Sequence, residues 1–431
     1  MKISAIILSA GNSTRYISAK PKVFHELSGK KLIDFNVDLL NKHKDISTSH
    51  IITNKHLINE FLHLGYNNLS IQNPINGTGG AIKQFISNNK LNADYYLICL
   101  GDTPIFNKKI LDNFIKKSTN QKLDINVLGQ NLSNPTGYGR LIIEEKILKS
   151  ITEEKNCSLD QKNISLVNTG IFLLSKKALL LSNNIKKDRQ KKEYLLTDLI
   201  KIGLEKDLKV SYSINSYEKI MGVNTLEEMQ ILQDQSQSII KKLLMSKGVQ
   251  FENSLTTFIS HDAHIDRDVK IESNVVIRSN VIIKSGSTIK SFSYLEDCKV
   301  GKDCNIGPFA RIRPGSSLGD NVKIGNFVEI KKSNLKKGVK VNHLSYVGDS
   351  SVGLNTNIGA GTITCNYDGK KKNKTKIGSN SFIGSNSSLI APIKIGDNVT
   401  LAAGSVFNKN VPSNSLSIGR AHQVIKKIKT N

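Results

Sequence analysis

At 431 residues the chain is too long for one ordinary domain, and two are the natural expectation. Its formal net charge of +25 comes from 61 Lys and Arg against 36 Asp and Glu, but only 8 of the 61 are Arg, and no zinc-finger or RNP-type motif occurs. The charge therefore suits anionic small substrates such as nucleotides, sugar phosphates and CoA better than nucleic acid. The 5 Cys are odd in number and lack CxxC spacing, which argues against a disulfide framework or a zinc site and fits a cytoplasmic, reducing compartment. The apolar run from Ile3 to Ala10 leads straight into a turn and reads as a buried first strand, not a leader. No stretch approaches the ~18 apolar residues of a membrane span.

In chain order, residues 1–224 alternate short aliphatic strands (5–8, 96–100 and 125–128) with polar, helix-like segments. That alternation predicts an α/β domain, Rossmann-like, with a mostly parallel sheet. Over 225–248, Leu226, Met229, Leu232, Ile239, Leu243 and Leu244 recur at helical spacing among polar residues, and Gly248 is a suitable stop. A linker helix is expected there. Residues 249–431 count in sixes. Aliphatic residues fall at Ile271, Ile277, Ile283, Ile289 and Leu295, at Val300, Ile306, Ile312, Leu318, Ile324 and Ile330, and again from Ile377 through Leu401 to Phe407. Neither a helix nor an alternating strand keeps a period of six, whereas a parallel β-helix does. Glycine follows the aliphatic in many units, among them Gly301, Gly307, Gly325 and Gly384, and is expected at corners whose backbone angles favour it. The stretches 331–340 and 362–376 break the period and are predicted as loops thrown out of the prism, with a solvated Lys-rich tail after Arg420.

The first strand runs into Leu8-Ser9-Ala10-Gly11-Asn12-Ser13-Thr14-Arg15, with Lys22 shortly after. A small-residue turn at a strand end lets backbone N–H groups approach an anion, and the two cations would neutralise phosphates. Leu100-Gly101-Asp102 puts an acid at the carboxyl edge of another strand, where open α/β sheets bind ligands and metals. An ordinary glycine turn and a helix N-cap at Asp102 are the plain alternatives. In a three-sided solenoid, Arg313 and Lys331 fall one full coil apart and would stack. Two cations that close repel unless an anion sits by them. Ser385 and Ala403 are likewise one coil apart.

With Gly307-Pro308-Phe309-Ala310-Arg311-Ile312-Arg313-Pro314-Gly315 and the stretches 325–332 and 357–369, these elements resemble, over essentially the whole chain, the bifunctional N-acetylglucosamine-1-phosphate uridylyltransferase/glucosamine-1-phosphate N-acetyltransferase family. The resemblance implies a nucleotidyltransferase domain over 1–224 and a left-handed parallel β-helix acetyltransferase domain over 249–431. Together they would make UDP-N-acetylglucosamine, a precursor for peptidoglycan and lipopolysaccharide. It implies that Leu8, Ser9, Ala10, Gly11, Lys22, Gln72, Gly77, Thr78, Gly101, Gly139, Glu153, Asn168 and Asn224 bind UTP or UDP-N-acetylglucosamine. Arg15 and Lys22 would stabilise phosphate charge, and Asp102 and Asn224 would hold Mg²⁺. In the solenoid it implies His343 as general base, Arg313, Lys331, Tyr346 and Asn357 on glucosamine 1-phosphate, and Ala360, Asn366, Tyr367, Ser385, Ala403 and Arg420 on acetyl-CoA. A homotrimer is implied, with no nucleic-acid or membrane partner.

Two positions depart from the family's usual first loop: Ser9 replaces an Ala and Ser13 a Gly. A third departure is Leu100, where a Tyr is common. Ser13 puts a Cβ where backbone and phosphate approach closely, so Ser13→Gly is expected to raise uridylyltransferase kcat/KM. Steady-state kinetics showing no gain would remove the idea. An ADP-glucose or dTDP-glucose pyrophosphorylase would lack the His343 motif and the Asn366-Tyr367-Asp368-Gly369 loop. A non-catalytic scaffold or nucleic-acid-binding protein is favoured by the charge alone.

Overall fold

The computed structural model describes residues 1–11, 15–188 and 192–427. Ser13 and the end of the Lys-rich tail lie outside them. The chain divides into two compact units, Met1–Asp234 and Gln235–Asn431, so the division falls inside the helix Leu226–Ser246. Gly248, at φ +92°, ends that helix, and Val249 N–H returns to the Leu244 carbonyl at 3.1 Å.

The first unit is built on a nine-stranded sheet. Its strands are β1 Ile3–Leu8, β2 Ile46–Thr53, β3 Leu69–Ile71, β4 Tyr95–Leu100, β5 Ile125–Asn131, β6 Arg140–Glu144, β7 Ile147–Thr152, β8 Leu166–Ser175 and β9 Val210–Ile214. The order is β9-β5-β8-β4-β1-β2-β3, with β6 and β7 branching from β8. β1 pairs in parallel with β2 and β4, β2 with β3, and β5 with β9, while β8 runs antiparallel to β4 and β5. β1 is apolar nearly throughout because it is covered on both faces. Ile6 packs into one core with Ile82 and Phe85, and Ile3, Ala5 and Ile7 into the other with Ile33 and Phe114. The parallel strands end at Leu8, Thr53, Ile71 and Leu100, which lines up the segments that follow them along one edge.

The second unit is a prism of three parallel sheets with ten, nine and eight strands, mostly two or three residues each. Ile271, Ile289, Ile306, Ile324, Val341, Ile358, Ile383 and Leu401 stack in register along one wall, all buried.

The glycines do something other than the sequence led us to expect. Of Gly301, Gly307, Gly319, Gly325, Gly359, Gly378, Gly384 and Gly396, only Gly307 has positive φ. The others make room for the next coil: a Cβ on Gly325 would overlap the Asn342 carbonyl oxygen. Other glycines, Gly286, Gly315, Gly338, Gly361 and Gly404, do take left-handed corners, and Asn is the commonest other residue there, as at Asn274, Asn321 and Asn386 at φ +55 to +60°, because it tolerates this region better than most.

The predicted loop at 331–340 is also corrected. Strand Asn334–Leu335 keeps it in the wall, and Leu318 pairs with Leu335, so this coil is one position shorter than the one before it, in which Val300 pairs with Leu318. A single-position deletion breaks the period without leaving the prism. The stretch 362–376 does extrude a loop, though a shorter one. Ile363–Cys365 and Thr375–Ile377 are strands, Val352 pairs with Ile377 across a lengthened coil, and residues 366–374 leave the wall. That loop is a hairpin closed by a Tyr367–Lys372 bridge. The Asp368 carboxylate accepts from Lys371 N, Lys370 N and Asn373 Nδ2 at 2.8–2.9 Å, which holds its pKa down at about 2.

Candidate functional sites

In the first unit, Leu8, Ser9, Gly11, Arg15, Lys22, Asp102 and Asn224 line a cavity of about 250 Å³ at the carboxyl edge of the sheet. Asn54 Nδ2 donates to the Ala10 carbonyl at 3.0 Å and fixes the first turn, and Gly101 N–H donates to Leu8 O at 2.8 Å. Ser9 Oγ occupies the space that a Gly101 Cβ would need, 2.7 Å away. Asn224 is set by the start of the connecting helix. The Glu228 carboxylate accepts from Asn224 N and Thr225 N at 2.5 and 3.1 Å, and Thr225 Oγ1 accepts from Glu228 N at 3.1 Å, a reciprocal cap. Lys22 Nζ lies 2.5 Å from Asp102 Oδ2, and Arg15 Nη2 donates to Asn224 Oδ1 at 2.9 Å.

Two further groups of sequence-named residues cluster locally. Gln72 Nε2 donates to Gly77 O at 2.9 Å, and Thr78 Oγ1 accepts from Leu196 N at 3.1 Å. Gly77 sits at φ +93°, where a Cβ would meet Tyr194 O at 2.6 Å, so glycine is required there. Asn168 N–H donates to Gly139 O at 2.8 Å, and a Cβ on Gly139 would lie 3.8 Å from Glu153 Oε1. Leu100 packs on the backbone of Gly170, where a Cβ would lie 2.7 Å from its side chain.

In the second unit, Asn326, His343, Ala360, Ser385 and Ala403 each follow an inward aliphatic by two positions, so they form one column over successive coils. His343 stands at the end of strand Lys340–His343, not after an extruded loop. Its Nδ1 lies 2.8 Å from Asn326 Oδ1, an acceptor that favours the tautomer carrying its proton on Nδ1. On the adjoining wall Arg313 and Lys331 stack, following the paired residues Ile312 and Ile330.

The anion that this stacking calls for is Glu329, whose Oε1 lies 2.7 Å from Arg313 Nη1 and raises the Arg313 pKa. Tyr346 pairs with Glu329 on the same wall, and its ring lies over Gly348. Asn366 Nδ2, from the extruded loop, donates to Asp349 Oδ2 at 2.5 Å and to Tyr346 Oη at 3.4 Å. The loop also brings Lys372 against Lys331, and that neighbouring ammonium lowers the Lys372 pKa. Asn357 lies on the wall of the His343 strand, paired with Lys340 and Phe382. Tyr367 is exposed and donates to Gly369 O at 2.7 Å, and Arg420 is exposed beyond the last rung, Leu416–Ser417. Asn326, Glu329, Asp349 and Lys372 were not among the residues named from sequence. The signal for Asn326 was its place one coil before His343, hidden because that coil is one position short.

Residues 5–158 match the MobA-like NTP transferase domain, and residues 297–332 and 374–409 match the bacterial transferase hexapeptide model of six repeats. The chain is 37% identical over 428 residues to the bifunctional protein GlmU of Agrobacterium fabrum, covering 98% of this chain and 94% of that protein. It is 38% identical over 429 residues to the bifunctional protein GlmU of Bartonella quintana, covering 98% and 95%. The chain belongs to the family of bifunctional GlmU proteins, the uridylyltransferase–acetyltransferase family that its motifs resemble.

Proposed function

We propose that the chain makes UDP-N-acetylglucosamine in two steps: an acetyltransferase domain over 249–431 acts on glucosamine 1-phosphate, and a nucleotidyltransferase domain over 1–224 then acts on the product. The observation that carries this is the presence, in one chain of the GlmU family, of a cation- and oxygen-lined cavity on an NTP-transferase sheet and a histidine-centred cluster on a hexapeptide prism.

In the acetyl step, the amine of glucosamine 1-phosphate attacks the thioester carbonyl of acetyl-CoA. The N–C bond forms, the C–S bond breaks, and the amine proton passes to His343 Nε2. Asn326 holds the ring with Nδ1 protonated. Arg313 and Lys331 bind the sugar phosphate, with Tyr346 and Asn357 against the sugar. Ala360, Ser385 and Ala403 line the acetyl-CoA column, with Asn366, Tyr367 and Arg420 at its margins. Arg313→Ala is expected to raise the KM for glucosamine 1-phosphate about 10–100-fold, the scale of a lost charged hydrogen bond, with a smaller change in kcat. Initial rates of CoA release check this.

In the nucleotidyl step, a phosphate oxygen of N-acetylglucosamine 1-phosphate attacks the α-phosphorus of UTP in line, and pyrophosphate leaves. Ala10, Gln72, Gly77 and Thr78 hold the nucleotide, Gly139, Glu153 and Asn168 the sugar, and Arg15 and Lys22 the phosphates. Asp102 and Asn224 supply two oxygen donors to one cavity, and among the described residues no group of three His, Cys, Asp or Glu could hold a metal. Two protein oxygens completed by phosphates and water suit Mg²⁺, which supplies charge neutralisation at the phosphates.

A cytoplasmic homotrimer serving cell-wall precursor synthesis is part of the proposal. The exposed, stacked rings of Phe292, Phe309 and Phe327, 4.9 and 5.1 Å apart, support a covering second copy. The test is one assay of the full chain with Mg²⁺, glucosamine 1-phosphate, acetyl-CoA and UTP, following CoA and pyrophosphate separately. Release of both supports the proposal. Release of neither by folded protein overturns it.

A further inference from the structure

Each oxygen donor assigned above to a divalent metal is already held by a cation of the chain. Lys22 Nζ is 2.5 Å from Asp102 Oδ2, with the lysine side chain only 8% exposed. Arg15 Nη2 is 2.9 Å from Asn224 Oδ1. All four residues line the same cavity. Lys22 is held by the short turn Lys22–Phe24 that follows Pro21, all three turn residues being buried. Asn224 is held by Glu228, and Val223 N–H donates to Asp102 O at 3.1 Å, tying the two donors into one frame.

A divalent ion such as Mg²⁺ coordinates oxygen at about 2.0–2.1 Å. On Asp102 it would sit against the Lys22 ammonium, and on Asn224 against the Arg15 guanidinium. Like charges that close repel, most strongly at the buried Lys22 and less at the exposed Arg15. A nucleoside triphosphate changes the balance, because its oxygens can take both cations and bring ligands of their own for the metal.

We infer that Lys22 and Arg15 are built-in counter-ions of the metal ligands: they keep a divalent cation off the nucleotide-free protein and release Asp102 and Asn224 when a nucleoside triphosphate draws them away. This rests on the reading of Asp102 and Asn224 as the metal's ligands. Metal and nucleotide then bind with positive coupling, each tightening the other.

The test is a Mn²⁺ titration of the full chain, counting free ion by electron paramagnetic resonance, with and without UTP. Wild-type protein is expected to show Asp102-dependent Mn²⁺ binding with UTP and little without it. Lys22→Met is expected to tighten nucleotide-free Mn²⁺ binding about tenfold or more, a gain that the added Asp102→Asn removes. Arg15→Met tests the second pair separately and is expected to shift binding in the same direction by less, because an amide is the weaker ligand. Unchanged Mn²⁺ affinity in both variants overturns the inference, as does wild-type binding equally tight with and without UTP. If Asp102→Asn changes nothing even with UTP, the metal assignment itself fails, which the UTP arm distinguishes.

Discussion

Replacing His343 by Ala is expected to lower kcat for acetyl transfer by about 10²–10⁴-fold, the usual contribution of a general base, and to leave UTP-dependent pyrophosphate release unchanged. The amine must lose a proton as it attacks, and His343, held at Nδ1 by Asn326 at 2.8 Å, is the base that we propose. Asn326→Ala is expected to lower kcat less and to change KM hardly at all, because it frees the ring without removing the base. Asn326→Asp restores an acceptor and is expected to recover part of the rate. CoA release measured across pH separates the two roles, since a positioning residue shifts the profile while loss of the base flattens it. Equal activity in wild type and His343→Ala would end the assignment.

Asp102→Ala is expected to reduce uridylyl transfer by about 10³-fold, because several kcal/mol of charge stabilisation depend on a catalytic metal and each 1.36 kcal/mol is tenfold. Acetyl transfer should be untouched, since Asp102 and His343 lie in separate units. Pyrophosphate release with saturating UTP checks the first statement, and CoA release by the same preparation checks the second. Raising Mg²⁺ should recover little of the rate if, as proposed, the lost carboxylate is a metal ligand that positions the ion and not only a source of affinity. Full activity of Asp102→Ala would move the metal elsewhere.

Linear pattern is enough for the two architectures and for the residues that share the first cavity. Strict sixes of Ile, Val and Leu can be buried together only in a prism, and β1, apolar on both faces, can lie only inside a covered sheet. Arg15, Lys22 and Asp102 stand out as charges beside small-residue turns at strand ends, and the sheet brings them together. What depends on stacking between coils is settled only in three dimensions. Whether a break in period is a deletion or a loop depends on which residues pair across coils, so 331–340 stayed in the wall and 366–374 left it. The role of Gly325 depends on the coil beside it, where the Asn342 carbonyl fills the space a Cβ would need. Asn326 reaches His343 and Glu329 reaches Arg313 only because the backbone returns to the same wall once per coil, whether that coil is regular or shortened, and Lys372 reaches Lys331 only because the lengthened coil throws its hairpin out beside that wall. Linear spacing records the residues, but the partner of each charge is set by the register of the coils.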